Sequence, residues 1–242
     1  MILPSRAEEV RCLQTEVVAC RRCPRLVAYR ERVAREKVRR YRDDTYWGQP
    51  LPGFGDPAAA LLIVGLAPAA HGGNRTGRMF TGDRSGEFLF RALYAAGFAN
   101  QPGCSHKDDG LRLRNCYITA AVRCAPPANK PMPAELEACR PFLVREILLL
   151  DHVRVVVALG KIGFDAFLRA WADAGGQRPA KRPRFSHATA VELSGGVTLI
   201  ASYHPSQRNT HTRLLTATMF SRIFRRARRL IGRAERRQRP GV

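Results

Sequence analysis

Acidic residues are scarce in this chain. Twenty Asp and Glu stand against 41 Lys and Arg in 242 residues, for a formal net charge of +21. That balance argues against a basic partner and points to a polyanion. Nucleic acid is favoured, because the basic residues flank glycine-rich loops as well as filling the tail. Long apolar runs are missing too. None approaches the ~20 residues needed to span a bilayer, and no basic amphipathic segment stands alone as an anchor, so no membrane role is expected. Met1-Ile2-Leu3-Pro4-Ser5-Arg6 leads directly into charged sequence without the apolar core of a signal peptide. The expectation is a cytoplasmic, nucleoid-associated protein. Seven cysteines in such a reducing compartment read as metal or cluster ligands, or as buried thiols, rather than as disulfides. Internal repeats are absent. So are G-K-[ST] and a fitting G-x-G-x-x-G, which weakens the reading of a nucleotide enzyme with a phosphate loop.

What is present reads as one α/β domain over residues 1–242. Residues 6–40 are expected to be helical with a break at Cys23-Pro24, and 41–58 form a Pro/Gly-rich connection. Leu61–Leu66 is a continuous apolar run and so a buried strand. Ser85 is the expected N-cap of a helix over Gly86–Ala96. Cys116–Ala121, Val153–Leu159, Ala188–Leu193 and Val197–Ser202 read as further strands. Helices are expected from Pro133 to about Leu150, over 161–174, and from Thr210 to about Arg237. Residues 175–187 read as a basic loop and 238–242 as a frayed tail. The alternation predicts a three-layer αβα architecture around a central, mostly parallel four-stranded sheet.

Two loops stand out. Gly65-Leu66-Ala67-Pro68-Ala69-Ala70-His71-Gly72 follows one apolar run, and His204-Pro205-Ser206 follows another. Both are expected at the carboxyl ends of parallel strands, where open α/β sheets bind ligands. The first continues into a stretch from Asn74 to Gly86 with flexible backbone, cations, one aromatic and one carboxylate. Cys20-Arg21-Arg22-Cys23-Pro24 is a C-x-x-C, and Cys124 and Cys139 follow about a hundred residues on. Four thiolates suit tetrahedral zinc or an iron–sulfur cluster. On spacing alone zinc is the commoner outcome, and four unrelated buried thiols is the third reading.

These residues resemble a known family. Gly65–Gly72, Asn74-Arg75-Thr76-Gly77-Arg78, Phe80-Thr81-Gly82-Asp83 and Ser85-Gly86 resemble the first motif of the family 5 (type B) uracil-DNA glycosylases. His204-Pro205-Ser206, Asn209, Thr212, Leu215 and Thr216 resemble the second. Arg123-Cys124-Ala125-Pro126-Pro127 and Asn129-Lys130-Pro131 are similar to a segment shared with family 4. The resemblance covers most of residues 20–220. It implies an enzyme that extrudes uracil from DNA and hydrolyses its glycosidic bond. It also implies that Cys20, Cys23, Cys124 and Cys139 hold a [4Fe–4S] cluster, which displaces zinc. That cluster is expected to be structural, tying the helical segment of about 6–40 to the strand and helix bearing Cys124 and Cys139.

The resemblance further assigns roles. His204 sits where the family places a donor near O2 of uracil, and Phe80 where it places a stacking platform. Relatives carry Asp, Asn or Glu just before the proline of the first motif, where this chain has Leu66 and Ala67. Asp83 is then the candidate to orient water. A helix cap, or a salt bridge to Arg75 or Arg78, is its alternative role. Gly65, Ala67, His71 and Asn129 are further candidates around the base. Arg75, Arg78, Ser85, Ser206 and Arg208 are candidates for contact with DNA, with Pro205–Arg208 as a wedge. The strand before Cys124, Thr119-Ala120-Ala121-Val122, lacks the asparagine that reads the uracil edge in family 4. Hypoxanthine, xanthine or modified uracils are therefore expected substrates beside uracil. No lysine stands out as a Schiff-base nucleophile; Lys161 has no assigned role. A monofunctional, monomeric glycosylase that leaves an abasic site in base excision repair is expected. The Arg-rich stretch Arg222–Arg237 reads as a DNA-backbone contact or as a solvated helix face. The competing class is a non-catalytic nucleic-acid-binding module with a cysteine-bound metal. Nothing in the sequence specifies a sliding-clamp or other repair-protein contact.

Overall fold

Short apolar runs between glycines become strands here, and amphipathic stretches between them become the helices that cover the sheet. The computed structural model describes residues 4–181 and 183–238. The helices are α1 (Arg6–Val18), α2 (Pro24–Glu36), α3 (Gly73–Thr76), α4 (Arg84–Ala95), α5 (Pro133–Leu149), α6 (Lys161–Asp173), α7 (Gln207–His211) and α8 (Ala217–Gln238). The strands are β1 (Phe54–Gly55), β2 (Leu61–Gly65), β3 (Cys116–Ala120), β4 (Val155–Leu159), β5 (Ala190–Glu192) and β6 (Thr198–Ser202). Among the described residues no helix is long and apolar enough to cross a membrane.

The sheet order is β1-β3-β2-β4-β6-β5. The four central strands are mutually parallel, as expected, with Ile63 opposite both Ile118 and Val157 and Val157 opposite Ile200. Two short antiparallel edges extend the expected four strands to six. The strand expected over Ala188–Leu193 shortens to Ala190–Glu192. The other edge, Phe54–Gly55, was hidden in the Pro/Gly-rich connection. Every residue of β2, β3, β4 and β6 is buried, which is why they read as continuous apolar runs.

Alternation along β2 assigns the two faces. Leu61 and Ile63 pack with Phe90 and Leu93 of α4 and with Phe220 and Phe224 of α8. Leu62 and Val64 pack with Leu143 of α5 and with Phe164 and Phe167 of α6. A third cluster joins Leu13, Val17 and Leu26 of the first two helices to Val122, Cys124, Cys139 and Phe142.

The break expected at Cys23-Pro24 is present, and two other boundaries differ from the sequence reading. Pro24 begins α2 at its first position, where a missing N–H costs nothing. The cap of α4 is Asp83, two residues before the expected Ser85, because its carboxylate accepts from Gly86 N at 2.9 Å. The last helix is not continuous from Thr210. It is split into α7 and α8 by residues 212–216, where Arg213 adopts φ 56°. The tail 239–242, Met1–Leu3 and Arg182 lie outside the described residues.

A buried polar group sits at the end of β3. Glu146 of α5 accepts from Thr119 Oγ1 at 2.6 Å and from Arg123 Nη2, and both charged side chains are almost wholly buried. Removing one partner of such a pair leaves an uncompensated charge in the interior. Glu146→Leu is therefore expected to cost about 3–5 kcal/mol of unfolding free energy in a urea titration. Glu146→Gln, which keeps a hydrogen-bonding oxygen, should cost less.

Candidate active site

Both motif loops leave the carboxyl ends of parallel strands, β2 and β6, which brings distant residues together. Phe80 and His204 lie side by side with ring centroids 5.9 Å apart and planes tilted by 31°. Phe80 holds φ 53°, an unusual conformation for a bulky side chain. Two glycines make room for it. A Cβ on Gly65 would stand 2.8 Å from the Phe80 ring, and one on Gly86 would stand 1.7 Å from the Phe80 carbonyl oxygen. The role foreseen for Gly65 is therefore one of clearance under the aromatic platform.

Burial pushes the His204 imidazole down to about 4, so the ring is neutral through the physiological range. Asn209 Nδ2 donates to the His204 carbonyl at 2.8 Å and fixes the loop. Among the described residues, neither ring nitrogen of His204 has a protein hydrogen-bond partner. An N–H of the neutral ring is thus left for a ligand.

Asp83 caps α4, so the cap role weighed for it is present, while no salt bridge joins it to Arg75 or Arg78 among the described residues. Burial raises its carboxyl above the usual carboxylate range, against the lowering by the Gly86 and Ser85 amides. Only one carboxylate oxygen is used at the cap. The other faces Gly72, where an added Cβ would lie 2.4 Å from Asp83 Oδ2. Gly72 is a positioning residue that the sequence reading missed as such. Its glycine is required by close approach rather than by a positive φ.

Asp83 lines a groove of about 680 Å³ together with His71, Gly72, Asn129, Tyr41 and Gln207. His71 is held by Tyr46 Oη at 3.0 Å, and burial, then the nearby Arg75 cation, lower its basicity from the usual imidazole value. Asn129 is exposed on a 3₁₀ turn at φ 55°. Ala67 is half-buried and packs against the cysteine cluster, placing it between the two sites. The neighbouring Arg40 and Tyr41, which no motif marked, form part of the groove wall.

Several expected DNA contacts are spent elsewhere. Arg78 is buried; it donates to both oxygens of Asp109 at 2.8 and 2.7 Å and to Thr81 Oγ1 at 2.9 Å. Arg75 donates to Asp44 at 2.6 Å, to the His71 carbonyl at 2.9 Å and to the Gly82 carbonyl at 3.1 Å, with its guanidinium 3.9 Å from the Tyr41 ring centre. Arg75 braces the first motif loop through two of its carbonyls, and Arg78 braces it through the Thr81 hydroxyl. Ser206 caps α7, accepting from Asn209 N at 3.4 Å, and Pro205 is buried. The segment 205–208 is therefore not a free wedge. Arg208 is exposed, and Ser85 is half-buried in the first turn of α4. Leu214, 47 % exposed in the turn between α7 and α8, presents the apolar side chain expected of a wedge.

Cys20, Cys23, Cys124 and Cys139 meet in the third apolar cluster. Arg30 Nη1, buried, donates to Cys124 Sγ at 2.9 Å, and the Arg123 amide donates to Cys139 Sγ at 3.3 Å. Burial raises the Cys23 and Cys124 thiols and pushes Cys139 up to about 12. As placed, no group of three or more His, Cys, Asp or Glu among the described residues could hold a metal ion. The donor set, four thiols with two N–H groups aimed at sulfur, nonetheless fits the polynuclear cluster that the resemblance implied.

The depressed imidazole has a thermodynamic consequence. His204 is neutral in the fold down to about pH 4 but takes a proton below about 6.5 when unfolded. The unfolded state then binds more protons, so stability is complete above that value and falls as pH drops between the two. His204→Gln should lose this component. Parallel urea titrations of both proteins between pH 7 and pH 4 would check it.

A model of the uracil DNA glycosylase superfamily matches residues 52–228. A type-5 uracil-DNA glycosylase of Mycobacterium tuberculosis is 52 % identical over 221 residues, covering 91 % of this chain and 81 % of the relative. The type-5 enzyme of Thermus thermophilus is 51 % identical over 216 residues, 89 % of this chain and 95 % of the relative. That of Pyrobaculum aerophilum is 46 % identical over 211 residues, 87 % and 88 % of the two chains. Type-4 enzymes match over a shorter stretch; one from Pyrobaculum aerophilum is 34 % identical over 124 residues. The chain belongs to the uracil DNA glycosylase superfamily, in its type-5 branch.

Proposed function

We propose that this single-domain, monomeric glycosylase excises uracil with His204 and Asp83 as its catalytic residues. The observation that carries the reading is the neutral, unpartnered His204 ring lying beside Phe80 at the end of β6. The flipped base stacks on Phe80. As the C1′–N bond breaks, its electron pair passes to the base, and a His204 N–H donates toward the negative charge growing on O2. The sugar gains oxocarbenium character. Asp83 stabilises it and orients the water whose oxygen forms the new bond to C1′; the water's proton leaves to the carboxylate or to solvent. With no lysine placed as a nucleophile, the product is an abasic site and the strand stays intact.

The base edge is read loosely. Thr119, at the position where family 4 has its reading amide nearby, gives its hydroxyl hydrogen to Glu146. Asn129, on an exposed turn, and Gln207 are the amides at the groove. This supports acceptance of hypoxanthine and xanthine beside uracil. Leu214 fills the space the base vacates, and Ser85, Ser206 and Arg208 take neighbouring phosphates. A net charge of +21 supports residence on the nucleoid.

We further propose that Cys20, Cys23, Cys124 and Cys139 hold a [4Fe–4S] cluster. When bound it supplies a cross-link between the helical segment 6–40, β3's end and α5, and it takes no part in bond cleavage. Arg30 and the Arg123 amide serve its sulfurs as hydrogen-bond donors. Cys139→Ser should lose iron, acid-labile sulfide and visible absorption, and should melt at a lower temperature. Wild-type protein purified anaerobically with one zinc and no iron would overturn this assignment.

The catalytic assignment is tested by alkali-revealed base release from duplexes carrying one uracil, hypoxanthine or xanthine. Asp83→Asn and His204→Gln should each slow single-turnover release by on the order of 100-fold or more, while duplex affinity changes little. Strict uracil specificity would remove the broad-pocket reading. Release undiminished in both variants would remove the catalytic one.

A further inference from the structure

Arginine is used unevenly in this protein. In the first two-thirds of the chain about half of the arginines are ion-paired, as in Arg21–Glu31 at 2.6 Å, Arg25–Glu135 at 2.7 Å and Arg140–Asp173 at 2.6 Å. The helix α8 is different. It carries eight arginines and one glutamate. Among the described residues no carboxylate lies within ion-pair distance of Arg222, Arg225, Arg226, Arg228, Arg229, Arg233 or Arg236. A solvated face of average composition intersperses both signs; this one does not.

The opposite face of α8 is already occupied. Phe220, Ile223, Phe224, Ala227 and Ile231 are buried against the sheet and α4. The helix therefore has no apolar face to lay into a lipid surface, which a membrane anchor requires. Its cations alone are on offer. Two are fixed by the fold: Arg226 Nη1 donates to the Ala188 carbonyl at 2.9 Å, and Arg228 stands 5.1 Å over the Phe98 ring. These two, with Arg222, Arg225 and Arg229, line a groove of about 860 Å³ between α8, the end of α4 and the 187–188 turn.

The groove starts beside the active site. His187, in its lining, stacks on Tyr203 at 5.2 Å, and Tyr203 directly precedes His204. From Arg222 to Arg236 the helix rises about 21 Å. That is on the order of six base pairs of duplex at 3.4 Å each. The polyanion is also already in the reaction, because a duplex engaged at His204 carries its phosphates beyond the flipped nucleotide.

We propose that the arginine face of α8 is a second DNA site that grips the backbone of the duplex flanking the lesion. It takes phosphates, reads no bases and contributes nothing to bond cleavage. The proposal rests on the glycosylase reading for its substrate, but its binding arm needs no lesion. Its consequence is that duplex length and salt, rather than base identity, act through α8. Wild-type protein should prefer long duplexes to short ones, and the preference should vanish with the arginines.

The test is the full-length triple variant Arg222→Gln, Arg225→Gln, Arg229→Gln, which spares the two arginines that brace the fold. Binding to undamaged 30-base-pair and 10-base-pair duplexes is titrated between 50 and 200 mM salt. Three lost phosphate contacts should lower the slope of log affinity against log salt by about 2.7, so the affinity change across that range shrinks about 40-fold. The loss should fall on the 30-mer, with the 10-mer nearly unaffected. Single-turnover uracil release at saturating protein should match wild type, with the melting temperature as the control for folding. An unchanged slope, or equal loss on both lengths, would overturn the proposal. So would unchanged DNA binding with loss of an acidic peptide added as competitor, which would make the face a protein-docking surface. Absence of uracil release by the wild type would instead refute the glycosylase reading and leave the comparison on undamaged duplex standing.

Discussion

Glu146 lies inside the protein with a cation, Arg123, as its charged partner, and much of the site is arranged around that pair. Thr119 donates to the same carboxylate. The Arg123 carbonyl accepts from Leu51 N at 2.8 Å, which ties in the connection before β1, and its amide reaches Cys139 Sγ. One buried ion pair thus joins the end of β3, α5, the cysteine pocket and the chain leading into the sheet. Buried ion pairs give little net stability, because desolvation offsets most of the attraction. What this one gives is a geometry: β3's end is rigid, and Thr119 is taken away from any base. A firm cysteine pocket follows from the same contact.

The catalytic side is arranged by side chains that are missing. Gly72 leaves room for the free oxygen of Asp83, Gly65 for the Phe80 ring, and Gly86 for the Phe80 carbonyl. Each clearance is under 3 Å to an added Cβ, so each is a constraint of contact rather than of backbone freedom. The arginines of the same loop do the complementary work. Arg75 holds the loop carbonyls of His71 and Gly82, and Arg78 holds Thr81 Oγ1 while anchored to Asp109, around a segment that keeps Phe80 at positive φ.

The central strands, their parallel order and the two strand-end loops were legible because fully buried strands leave uninterrupted apolar runs bounded by glycine. Phe54–Gly55 was not, since a two-residue edge strand is defined by its partner β3 and carries no pattern of its own. The break between α7 and α8 escaped because no glycine or proline marks it; Arg213 takes the left-handed conformation instead. Asp83, His204 and Phe80 were nominated from the motifs, and the structure brings Phe80 and His204 together. Arg75 and Arg78 were misread as DNA contacts. A cation in a loop looks free in sequence, and only the fold supplies Asp44 and Asp109, some thirty residues away, as partners. On α8 the sequence left two readings open, a DNA-backbone contact or a solvated face, and among the described residues its arginines have no carboxylate partners.

These observations bear on how a chain of charge +21 handles a neutral base. A base pocket lined with free cations would hold phosphate of undamaged DNA as readily as it held a flipped nucleotide. Here the loop cations are consumed by carboxylates, and His204 is kept neutral by burial. A neutral donor in a desolvated site interacts weakly with the intact base and strongly with the anion that leaves, which is the difference that lowers a barrier. On the proposal made for α8, attraction for the polyanion is carried by arginines outside the pocket, where it assists encounter without blunting that difference. Separating the two duties lets the protein be strongly basic and still reserve its tightest interaction for the transition state.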